Sequence, residues 1–130
     1  MARANVDKVR AQLQAINDRD VDAALADFDD AIVYEAPSYG LRVEGKDALG
    51  RMFHAVLEKF TETRYEITEH HETVDPDLVI VEARGDNAVR GTDRRYANHY
   101  LHLIRFRDGR MVHWTEHSNA TTYAQQVDGA

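Results

Sequence analysis

The chain of 130 residues contains no cysteine. Disulfides, thiolate metal ligands and a cysteine nucleophile are thereby excluded. Proline occurs twice, as Pro37 and Pro76, and both fall where the pattern turns. No apolar run exceeds a few residues (Leu78 to Val81 is typical), so no segment is expected to span a membrane. Basic residues are outnumbered by acidic ones, 16 to 23, for a net charge of −7. Nucleic acid needs a basic face and is not an expected partner. Arg90, Arg94 and Arg95 cluster, but Asp86 and Asp93 dilute them into a solvated turn. The first residues lack the apolar stretch of a secretory signal, which makes a cytoplasmic location the expectation. Phosphate loops, dinucleotide fingerprints and nucleophile elbows are also missing, and no cofactor is expected.

What remains is an ordinary globular composition, 43% hydrophobic and 30% charged, in a length suited to one domain. Residues 1–130 read as one unit, with a core over about 5–120 and a partly disordered tail over 121–130. Val6, Val9, Leu13 and Ile16 recur at helical spacing behind a capping Asn5. After the polar turn Asn17 to Asp20, Val21, Ala24, Leu25 and Phe28 predict a short second helix. Ala31 to Ala36 reads as a strand stopped by Pro37 and Gly40. Beyond Gly45, the stripe Leu49, Phe53, Val56, Leu57 and Phe60 predicts a third helix.

The period then changes to that of strands. Four are expected: Tyr65 to Thr73, Leu78 to Arg84, Arg95 to Arg107 and Met111 to Ser118. Asp75-Pro76-Asp77 and Asp108-Gly109 supply turns. Helices first and a meander afterwards predict an α+β fold, a curved antiparallel sheet packed on three N-terminal helices.

This order, with several local signatures, resembles the SnoaL-like branch of the nuclear transport factor 2-like superfamily. The stretches that carry the likeness are Asn17 to Phe28, Asp29 to Pro37, Gly45 to Leu49, Tyr96 to Tyr100, Phe106 to Met111, and Trp114-Thr115-Glu116. The branch includes polyketide cyclases, ketosteroid isomerases, limonene-epoxide hydrolases and the phenazine biosynthesis A/B proteins. The resemblance implies a cone-shaped fold, an open-ended pocket for a small molecule, and a homodimer.

Alternate strand residues share a face, and the resemblance places three such sets toward the pocket. They give a constellation of Glu35, Asn98, Tyr100, His102, Trp114 and Glu116. Glu35 lies where the isomerases carry an aspartate base; the competing reading is a strand-end charge facing water. His102 matches the position of their protonated oxyanion-stabilising acid. A histidine there can donate a hydrogen bond or shuttle a proton, or it can be a core residue tied to Tyr100 or Glu116. Glu116 matches the water-activating carboxylate of the epoxide hydrolases and the functional glutamate of the phenazine proteins. Its indole neighbour would desolvate it, and its competing reading is a buried salt bridge. These three are the expected catalytic residues.

Gln12 stands in place of the isomerases' oxyanion tyrosine, and Met52 and Val56 in place of the phenazine proteins' histidine and serine. With Phe53 they are expected to line the helical wall of the pocket. Arg84-Gly85-Asp86 has the spacing of the hydrolases' arginine–aspartate pair, or else marks a strand end bearing a turn-facing ion pair.

His113 to His117 reads H-x-x-E-H, a zinc pattern on a helix. On a strand it would hold the histidines roughly 13 Å apart, so no metal is expected. Asn119-Ala120-Thr121 fits a glycosylation acceptor without a secretory context. Counting back from Asp108-Gly109 puts Trp114 near His102 and Glu116 near Tyr100. Leu101 and Leu103 on the opposite face predict a dimer through the outside of the sheet. The expected activity is cofactor-independent acid–base chemistry on a hydrophobic, oxygenated molecule. Epoxide hydrolysis and non-catalytic ligand binding are the alternatives.

Overall fold

The computed structural model describes residues 2–129. The first helix, α1 (Ala2–Asn17), buries Val6, Val9, Leu13 and Ile16 along one stripe. The turn that follows has Arg19 in the left-handed region, with its guanidinium donating to the carbonyls of Leu57 and Phe60. Asp20 caps the short α2 (Val21–Leu25), accepting from the backbone N–H of Ala23 at 3.0 Å. Phe28 does not extend α2. It opens β1 (Phe28–Ala36), where Phe28, Ile32, Tyr34 and Ala36 are buried.

A 3₁₀ turn over Pro37–Tyr39 leads to a strand without a clear sequence signal, β2 (Leu41–Glu44). The third helix, α3 (Lys46–Lys59), turns Leu49, Phe53 and Leu57 inward. A second short strand, β3 (Phe60–Glu62), precedes β4 (Tyr65–His71). The long strands β5 (Leu78–Val89), β6 (Arg95–Arg107) and β7 (Arg110–His117) follow. The chain closes with α4 (Ala120–Gln126), whose cap Asn119 accepts from the N–H groups of Thr121 and Thr122.

These strands form one curved, seven-stranded sheet in the order β2-β1-β7-β6-β5-β3, with β4 also on β5. The pairings are antiparallel except that of β1 with β7, which is parallel. The wholly antiparallel expectation is corrected there: a 3₁₀ turn, one helix and five strands lie between β1 and β7, and the two run in the same direction where they meet. Strict alternation along β5 and β6 buries Val79, Val81, Ala83, Gly85, Asn87 and Val89, and Tyr96, Asn98, Tyr100, His102, Ile104 and Phe106. The helices cover this concave face.

Three further expectations change. The strand through Arg84 continues five residues past it, and Gly85 is interior, because the rings of Tyr65 and Tyr100 lie over it. A Cβ there would stand 2.9 Å from Tyr65 Cε1 and 3.1 Å from Tyr100 Cε2. The tail is not loose: Val127 is buried, and Arg94 ties it down by donating to the carbonyls of Gln126 and Val127. The turn at Asp108-Gly109 is a tight one with both residues at positive φ, but a bulge follows it. Phe106 pairs with Met111 whereas Arg105 pairs with His113, so Val112 is extra. The register beyond it therefore places Glu116 opposite His102, and Trp114 opposite Ile104.

Candidate functional site

Between the concave face and the helices lies a cavity of about 540 Å³. Every tyrosine of the chain and its one tryptophan reach its wall. Among the described residues, Glu116 is the only carboxylate in that wall and Lys59 the only cation. Gln12 enters the wall from α1, and Met52, Phe53 and Val56 from α3.

The floor is built by β6 and β7. Trp114 and His102 are both buried, and the indole Nε1–H donates to His102 Nδ1 at 2.9 Å. The Tyr100 ring stacks on the imidazole at 5.7 Å and 7°. Burial depresses the His102 pKa to about 3, so the ring is neutral near pH 7. A neutral ring suits the hydrogen-bonding role better than the proton-shuttle one.

Across the strand pair, Glu116 is half-buried by surface area because the cavity opens onto it, and protein surrounds it otherwise. Loss of solvation raises its pKa to about 7, partly offset by the Tyr34 hydroxyl beside it. Tyr34 in turn titrates well above its ordinary range, from burial and then from the Glu116 charge. A carboxyl group poised near neutrality can both take and give a proton.

Tyr65 is placed by secondary contacts. Asn17 brackets its backbone, accepting from its N–H at 2.8 Å and donating to its carbonyl at 2.9 Å. Its hydroxyl accepts from Asn87 Nδ2 at 3.1 Å. Toward the mouth, Tyr123 of α4 meets Tyr39 and Tyr96 edge-on at 5.6 and 5.2 Å.

Two residues of the expected constellation are elsewhere. Glu35 does not line the cavity: it sits on the outer face, paired with Arg42 at 2.8 Å and His113 at 2.9 Å. The hydrogen bond from Arg42 holds its carboxyl below the usual range. Its neighbours in the strand explain this, since Ile32, Tyr34 and Ala36 form the apolar set that must face the core. Asn98 is buried but is not part of the wall. Its amide donates to Tyr96 Oη at 2.8 Å and to the carbonyl of Asn119 at 3.0 Å, so it joins β6 to the start of α4 and holds Tyr96 in place.

Arg84 and Asp86 do not pair with each other. Arg84 lies 3.6 Å from Glu66, and Asp86 accepts from Arg95 at 2.7 Å, all on the outer face. His113 and His117 lie on β7, a strand as the alternation predicted. The metal-competent group among the described residues is instead Glu69, His71 and Glu82, all exposed, with His71 and Glu82 already hydrogen-bonded at 2.7 Å.

Several wall residues carried little sequence signal. Tyr34 was legible from the apolar parity of β1. Tyr39, Lys59 and Tyr123 come from a turn, a helix end and the terminal helix, where period says little about direction.

A curved sheet closed by helices over a cavity, with one tuned carboxylate in its wall, is the frame that the comparisons with known proteins address. The chain belongs to the SnoaL-like domain family, whose pattern matches residues 9–114. An uncharacterized PhzA/B-like protein of Pseudomonas aeruginosa is 27% identical over 96 residues, 74% of this chain and 67% of that one. Among solved structures, a putative isomerase from Bacillus subtilis superposes with a TM-score of 0.88 at 22% identity, covering 98% of this chain and 95% of the other. An LEH-like epoxide hydrolase from M. tuberculosis gives 0.79 at 18%, covering 98% and 91%. At such identities the structural likeness concerns the fold.

Proposed function

We propose that this protein is a cofactor-independent acid–base enzyme of the isomerase or cyclase type, acting on a hydrophobic ketone. The observation that carries this reading is Glu116: a single carboxylate, raised to about 7, in an aromatic wall. Glu116 as carboxylate removes a proton from the carbon next to the ketone. The electron pair moves onto the carbonyl oxygen as an enolate, which the neighbouring donors stabilise. Collapse of the enolate either returns the proton from Glu116 to another carbon or adds the carbanion to a second carbonyl carbon of the same molecule, whose π pair moves onto its oxygen, and that oxygen takes the proton back from Glu116. The apolar wall keeps the ground-state carboxylate poorly solvated and hence basic.

Hydrolysis of an epoxide has less support, because Arg84 and Asp86 lie outside the cavity. We also propose a homodimer through the outer face of the sheet, where Leu101 is 40% exposed and Leu103 half-buried.

The chemistry is tested without the natural substrate by incubating a panel of apolar cyclic and aryl ketones in heavy water. Deuterium should appear next to the carbonyl of at least one ketone. Glu116→Gln should slow this by about 100-fold or more while the protein stays folded. A mutant that binds the ketones and exchanges them at the wild-type rate would refute the role of Glu116. Ketones that bind and never exchange would indicate a binding protein.

A further inference from the structure

We infer that Trp114 is a positioning residue that locks His102 in one tautomer, so that His102 presents a fixed N–H donor to an acceptor oxygen of the ligand. The role of that oxygen as the enolate oxygen rests on the function proposed above; the tautomer does not.

An indole N–H can only donate a hydrogen bond. It is aimed at His102 Nδ1 at 2.9 Å, inside the protein. Nδ1 must therefore carry the lone pair, and the proton of the neutral ring is on Nε2. Two contacts restrain the imidazole. Tyr100 is stacked on its face, and Trp114 meets it nearly edge-on, with ring centroids 5.2 Å apart and planes at 74°. The first runs parallel to the ring, and the second holds Nδ1 toward the indole N–H.

Nε2 has no partner within the protein; His102 belongs to the cavity wall, but this atom is closed off by its neighbours. A buried N–H without an acceptor is unfavourable, a penalty that a ligand oxygen would remove once the wall side chains closing over Nε2 move aside. Gln12 Oε1, on another residue of the same wall, is also buried and unpartnered. The two atoms ask for complementary groups, an acceptor for His102 and a donor for Gln12. A ketone that also carries a hydroxyl or enol group meets both requirements. Depression of the His102 pKa by burial agrees with a donor that stays neutral while Glu116 cycles.

Nitrogen-resolved NMR of histidine-labelled protein reads the tautomer directly, with His102→Gln used to assign the signal among the seven histidines. His102 is expected as the neutral Nε2–H form at pH 6. An Nδ1–H form or an imidazolium signal at that pH would overturn the lock, and this requires no variant of Trp114. In Trp114→Phe, the imidazole should become a mixture of tautomers and its titration midpoint should rise by about one unit or more. An unchanged tautomer in a folded Trp114→Phe protein would also overturn it.

Acetophenone and its hydrocarbon counterpart ethylbenzene then test the donor. The ketone should shift the Nε2–H resonance and the hydrocarbon should not. Equal responses, or none from either, would remove the donor role while leaving the lock and the Glu116 exchange result standing.

Discussion

The two faces of the sheet carry the same residue types with opposite outcomes. On the outer face Glu35 meets Arg42 and His113, and Glu82 meets His71. Both carboxyl groups are held below their ordinary range, and His71 is raised by Glu82. On the inner face Glu116 is pushed up to about 7 and His102 down to about 3. Thr115 pairs with Glu35 in the sheet, and Glu116 is one residue further along the same strand. One step in parity separates a solvated ion pair from a desolvated acid. What decides the chemistry of a glutamate here is which side of a pleat it occupies, since water and cations are available on only one side.

The largest effect that would test this contrast is on stability against pH. Glu116 has a folded pKa above its unfolded value, so the folded state binds the proton more tightly. The resulting stabilisation is complete below about pH 4.5 and is lost as pH rises through about 7. Urea titrations should show wild type losing roughly 2–3 kcal/mol over that interval, allowing for water that reaches the group through the cavity. Glu116→Gln should lack this loss and be the more stable protein at pH 8. Parallel pH curves for the two would contradict the inner-face environment.

An intermediate effect concerns assembly. Leu101→Glu adds a charge to the outer face opposite the cavity, and sedimentation at micromolar concentration should show a dimer for wild type and at least about tenfold weaker association for the variant. A monomeric wild type would end the dimer proposal. The smallest effect belongs to Glu35→Gln. Its ion pairs are exposed, so no resolvable change in melting temperature at neutral pH is expected, and ketone exchange should persist. Because the Glu35 carboxyl is depressed, any stabilisation it gives is present at neutral pH and disappears as pH falls through its folded pKa. A loss of exchange in Glu35→Gln comparable to that in Glu116→Gln would erase the distinction between the faces.

Periodicity made much of this legible. It located α1, α3 and the long strands, and it put Trp114 with Glu116 on one face of the last strand and Tyr100 with His102 on one face of its neighbour. It failed where one residue changes parity. The extra Val112 moves the partner of Glu116 from Leu101, which an unbulged hairpin gives, to His102, where the sequence reading put it near Tyr100; such a bulge leaves no mark in hydrophobic alternation. Glu35 was misplaced by likeness to the isomerases, although Ile32, Tyr34 and Ala36 announced the buried face. Gly85 was read as a strand end, whereas its missing side chain makes room for two aromatic rings. The strands β2 and β3 are too short to show a period, and their pairing depends on long-range neighbours.

A single tryptophan in the wall of the cavity also gives the protein an internal optical reporter. Trp114 is 2% exposed and shares its N–H with His102. The other aromatic residues near the cavity are tyrosines and phenylalanines, which absorb at shorter wavelength, so red-edge excitation addresses this one indole. Its emission should be blue relative to an indole in water. Any ligand that changes the polarity beside His102 should alter that emission without a label, so a chemical library can be screened for the missing substrate by light alone.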